Sequence, residues 1–224
     1  MSFNLGHQVT RIARVRTMLT VALALACAFG AVTNAAAQSV TPPTTPSSIA
    51  APEGNSAFLV GHAYGTQGYV CLPTATGGTS WTINPARPEA TLFSDVFGQP
   101  VQIITHFASI DANPNKNATT PVSLGGNATW QSSLDTSKVW AKAVGSVTAG
   151  TDPVSCPNTG AIPCLLLQSI GNQKGPTGGR ILANVTFVQR LNTNGGAAPD
   201  TACSVGQTQL VPYTADYYFF HKDE

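Results

Sequence analysis

Residues 180–203, followed by 211–220, constrain the fold more tightly than any other part of the chain. Ile181, Ala183, Val185, Phe187 and Leu191 fall on one side of a two-residue period, and Asn184, Thr186 and Arg190 on the other. A helix repeats every 3.6 residues, so this alternation specifies an extended strand with one buried face. Val188 and Gln189 interrupt the pattern. Asn194, Gly195 and Gly196 then form a strong turn signal, and Cys203 follows. Residues 211–220 read as a closing aromatic strand, with Pro212 near its start, where no ladder donor is needed.

The rest of the chain has the same character. Residues 56–63 and 68–72 read as two short strands around a hairpin at Gly65, Thr66 and Gln67. Residues 81–84, 90–93, 101–107, 139–147 and 162–170 are further strand candidates. Residues 108–128, mostly Asn, Pro, Thr, Gly and Ser, form a loop of a length that is often functional. No window carries helical periodicity. About nine or ten short strands are expected, in a single-domain antiparallel all-β sandwich or barrel.

The N-terminal segment sets the compartment. Arg11, Arg14 and Arg16 precede an uncharged apolar run at 18–32, and Ala35, Ala36 and Ala37 precede Gln38. That order is a secretory signal, and its core is shorter than the roughly 20 residues that span a bilayer. Residues 1–37 are therefore expected to be removed, 38–52 to form a mobile Pro/Thr/Ser-rich leader, and 53–224 to form the secreted or periplasmic domain, with no membrane span in the mature chain. Without the three signal arginines the 11 basic residues fall to 8 against 10 acidic, a net charge near −2. Nothing in that balance attracts nucleic acid.

Of five cysteines, Cys27 lies in the signal. The other four allow three pairings. Cys156 and Cys164 are close in sequence, and pairing them leaves Cys71 with Cys203. An exported chain supports two such disulfides. Zinc-ligand spacing is missing, so no metal is expected, and the glycines form no phosphate loop, so no cofactor is expected.

The order of Tyr69, Val70 and Cys71, then Trp81, His106, Trp130, residues 134–139 and 162–167, resembles a known family. So do the block running from Gln189 and Arg190 through Asn194, Gly195, Gly196 and Pro199 to Cys203, and the ending Tyr213, Thr214, Ala215, Asp216, Tyr217. The chain resembles the family of domain of unknown function 3455, small exported proteins of bacteria and fungi, over roughly residues 52–220. The resemblance implies export and a single domain, and assigns no activity. The family runs almost directly from the histidine to a Gly-Pro-Thr-Trp segment, whereas a long stretch separates His106 from Trp130 here, and it tends to have Trp where this chain has Cys164.

The candidate chemistry is sparse. The expected function is a binding or envelope-associated module, with His106, Trp130 and Tyr217 as binding residues and a glycan or another wall component as ligand. Trp140, Tyr213 and Tyr218 could join such a platform. The alternative is a secreted hydrolase using His106 with Asp135, or with Asp111, as base and partner. Carboxylate pairs such as Glu89 with Asp95 follow no spacing rule. A third reading is a structural surface protein with no small ligand. Arg190, if buried, needs a carboxylate, and Asp216 in the closing strand is the expected structural ion pair. Convergence of His106, Asp135, Arg190 and Asp216 on one concavity would favour the enzyme. Oligomeric state is not readable from the sequence.

Overall fold

A computed structural model describes residues 40–109 and 126–223. Residues 1–37, read above as a secretory signal, Asp111 and most of the long loop lie outside the described residues. Among those described there is no helix, and eight strands form one antiparallel sheet: β1 (Asn55–Pro73), β2 (Thr79–Val96), β3 (Gln99–Ser109), β4 (Asn127–Ser132), β5 (Lys138–Val147), β6 (Cys164–Gln173), β7 (Val185–Gly195) and β8 (Thr208–Lys222). Each pairs with the next, and β8 returns to β1 in a register running from Asn55↔Lys222 to Val70↔Thr208, closing the barrel.

Closure separates two environments. Ala63, Leu92, Ile104, Trp130, Val139, Val188, Tyr217 and Phe219 fill the interior as one apolar cluster. On the outside, over β6–β8, a second cluster gathers Ile49, Leu166, Leu191, Tyr218 and Phe220 around the Cys156–Cys164 bridge.

Three local readings are corrected. The hairpin expected at Gly65, Thr66 and Gln67 does not form, and β1 runs through these residues for 19 residues. Gly65 is there for close packing: a Cβ on it would lie 2.1 Å from the Glu89 carbonyl oxygen. The alternation in β7 is broken by a bulge opposite β8, between the pairs at Val185 and Phe187. Val185 and Val188 therefore enter the interior, while Phe187 and Leu191 join the outer cluster. The supposed mobile leader is packed over its described part. Ile49 is fully buried, its carbonyl accepts a 2.6 Å bond from Gln189 Nε2, and Val40 and Ala51 join the same cluster.

Both cysteine bridges form. Cys71–Cys203 spans 132 residues, tying β1 to the segment before β8, and Cys156–Cys164 spans 8.

Candidate binding site

Residues 62–66 of β1 read His-Ala-Tyr-Gly-Thr, with small residues on one side and polar or aromatic ones on the other. Ala63 faces the crowded interior. His62, Tyr64 and Thr66 therefore face outward. The register carries Tyr64 into a row that crosses five strands: Asn194 on β7, Thr214 on β8, Tyr64 on β1, Thr91 on β2 and Thr105 on β3. Directly paired residues share a face, so an aromatic ring stands among three threonines and an asparagine. Tyr64 is 62% exposed and is propped edge-on by Phe93, with centroids 6.0 Å apart.

The neighbouring row carries the polar centre. His62 Nδ1 lies 2.6 Å from Asp216 Oδ1, and Asn192 Nδ2 donates to Asp216 Oδ2 at 2.8 Å. A carboxylate only accepts, so Nδ1–H donates and, in the neutral ring, Nε2 holds the free lone pair. Asn192 has φ 51°, in the left-handed region, at a second break in the β7–β8 register. The clipped loop holds it there: Asn192 N donates to Ser155 O at 2.8 Å, Asn158 Nδ2 to Thr193 O at 2.9 Å and Thr193 Oγ1 to Ile162 O at 2.6 Å. The 156–164 bridge thus supports, through three hydrogen-bonded steps, the orientation of His62.

Of the residues singled out from the sequence, Asp216 belongs to this polar centre, while the His106, Trp130 and Tyr217 rings turn inward. His106, Trp130 and Tyr217 are brought together, but inside the barrel. The His106 and Trp130 rings stack at 4.3 Å, 10° from parallel, and Tyr217 lies 5.6 and 5.7 Å from them. All three are buried. His106 Nδ1 faces the Thr129 carbonyl oxygen at 2.9 Å. Burial, opposed by that carbonyl and aided by the charge of Arg190, lowers the imidazole to about 4, so it is neutral at pH 7. The three rings pack against one another in the interior.

Asp135 sits in the turn after β4 and accepts from Ser137 N, Ser137 Oγ and Ile181 N. Burial raises its carboxyl, but these donors and Ser132 outweigh it and hold it at about 2. Its job is to pin the segment before β7, and no hydrogen bond links it to His106.

The expected Arg190–Asp216 ion pair does not form. Arg190 lies opposite Tyr217, and Asp216 opposite Leu191. A one-residue offset puts the two side chains on opposite faces of the sheet. Arg190 instead donates to Pro163 O from Nη2 at 2.8 Å and from Nε at 3.2 Å. His106 and Arg190 face the barrel interior, Asp216 faces outward and Asp135 sits in the turn after β4, so the four groups do not converge on one concavity.

The functional candidates missed in the sequence are His62, Tyr64 and Asn192. The alternation at 62–66 could have revealed the first two. Asn192 depends on a bulge that no periodicity reports.

Fold and site together define a disulfide-stapled, closed antiparallel barrel with an aromatic and hydroxyl-rich outer face. The chain belongs to the family described as Protein of unknown function (DUF3455), whose sequence signature matches residues 52–221. No curated protein and no solved structure matches the chain.

Proposed function

We propose that the protein is an exported binding module that takes a neutral, polyhydroxylated ligand, a glycan of a cell envelope or wall, on the outer face around Tyr64. The observation that carries this reading is an exposed ring, 62% accessible, set in a row of threonine and asparagine side chains. A sugar presents an apolar C–H face for stacking and a rim of hydroxyls for neutral donors and acceptors, and this surface offers both. The carboxylates on the face already have hydrogen-bond or ionic partners. Asp216 is held by His62 and Asn192, and Glu89 lies 3.5 Å from Arg87. Two disulfides suit an oxidising compartment, in keeping with the signal-like residues 1–37.

Isothermal titration with cellohexaose, chitohexaose and maltohexaose tests the proposal. At least one is expected to bind, and Tyr64→Ala is expected to weaken it about tenfold, the equivalent of ~1.4 kcal/mol. Lack of binding to all three, or an unaffected Tyr64→Ala variant, would overturn it.

A further inference from the structure

Three open depressions meet at Tyr64. One of about 470 Å³ lies toward β2 and β3, against Glu89, Thr91, Thr105 and Phe107. Another of about 350 Å³ runs toward β7 and β8, against Asn194, Pro212 and Thr214. The third, of about 200 Å³, is bordered by His62, Asn192 and Asp216. Tyr64 borders all three, so they form one track that turns around a single ring and crosses the strands. Strands lie ~4.8 Å apart, so the four gaps from β7 to β3 span roughly 19 Å. One sugar ring fills only part of that distance.

We infer that the track holds an extended polyhydroxylated chain lying across the strands, with a ring stacked on Tyr64 and a hydroxyl donating to His62 Nε2; the inference rests on the glycan-binding reading above. Three features argue for it. Hydroxyl and amide side chains continue to both ends of the track, Asn194 on one side and Thr105 on the other, so contacts are available well beyond the central ring. Both oxygens of Asp216 are occupied, one by the His62 ring and one by Asn192, which fixes the polarity of His62 and directs its acceptor away from β8. An acceptor at that point selects a ligand that carries a donor beside its stacking face. Finally, the outside of a closed barrel is convex. A flat crystalline polymer would touch it along a line, whereas one flexible chain can follow the depressions. The ligand is therefore a single soluble chain and not a crystalline surface.

The test compares monosaccharide, disaccharide and hexasaccharide of the glucose, N-acetylglucosamine and maltose series, with pull-down on crystalline cellulose and chitin. The hexamer of the series that binds is expected to be at least tenfold tighter than its monosaccharide. Asn194→Ala and Thr105→Ala, at the two ends, each cost the hexamer about threefold, a larger loss than the monosaccharide suffers. His62→Ala costs about three- to tenfold, the range of one hydrogen bond. In the wild type, the ¹⁵N resonance of His62 Nε2 moves on adding the hexamer, a response that a purely structural histidine would not give. Equal affinity for monosaccharide and hexamer, or retention on the crystalline polymers, overturns the extended-chain inference while leaving the binding reading standing. A stationary Nε2 resonance overturns the role given to His62. Failure of every oligosaccharide to bind overturns the binding reading itself.

Discussion

His106 makes the barrel sensitive to mild acid. The unfolded chain takes up its proton near 6.5, and the folded chain only near 4. Between those values the unfolded state holds more protons, so stability is full above about 6.5 and falls as pH drops toward 4. The whole gap corresponds to about 3 kcal/mol. Asp135 adds a separate window: its depressed carboxyl stabilises the fold above 3.8, and that contribution disappears as pH falls toward about 2. Thermal melts between pH 7 and 4.5 are expected to show a falling midpoint for the wild type and a nearly flat one for His106→Gln; an unchanged slope in the variant would show that another group is responsible. The sequence displayed His106 at the end of a strong strand but not the face it occupies. That face is set by pairing, Ala90 on one side and Trp130 on the other, and pairing is a property of neighbours distant in the chain. The same limit turned Arg190 and Asp216 into a plausible pair, since nothing local reports a one-residue offset.

At the scale of elements, two irregularities decide what the strands present. The bulges in β7 reverse its inside–outside assignment and place Asn192 beside Asp216. The period-two pattern was legible, and so was its interruption at Val188 and Gln189, but the bulge that causes it lies just before them, between Val185 and Phe187. The loop clipped by Cys156–Cys164 then holds the second break in place. Cys156→Ser with Cys164→Ser is expected to leave a folded barrel, because the bridge closes only 8 residues, yet to weaken hexasaccharide binding several-fold; undiminished binding in a folded double variant would separate the clip from the site. Composition also misled at residues 40–52. Pro, Thr and Ser describe most of that stretch, whereas its placement is set by Ile49, buried against Leu191 and Tyr218 in one cluster. Ile49→Ala is expected to cost about 2–5 kcal/mol in urea unfolding, the range for emptying a buried aliphatic site. A cost under ~0.5 kcal/mol would mean the strap contributes nothing.

For the molecule as a whole, closure is the event that matters. β1 and β8 meet across nearly the full length of the described chain, and such non-local pairing makes folding slow. Cys71–Cys203 shortens that search and constrains the unfolded state. Replacing both cysteines with Ala is expected to lower stability by about 4–5 kcal/mol on loop-closure grounds, measured by denaturant unfolding of both forms under oxidising conditions. This architecture was legible in outline, since alternating strands, turn residues and an even cysteine count all pointed to a stapled β domain. Its closure was not, because no local signal tells a first strand that it will pair with the last. The packed strap has a practical corollary. Family resemblance begins at residue 52, but Ile49, which is fully buried in one cluster with Leu191, Tyr218 and Phe220, lies three residues earlier. The unit that evolution visibly shares and the unit that folds have different borders, and a gene trimmed to the first would express a barrel with a raw, aggregation-prone flank.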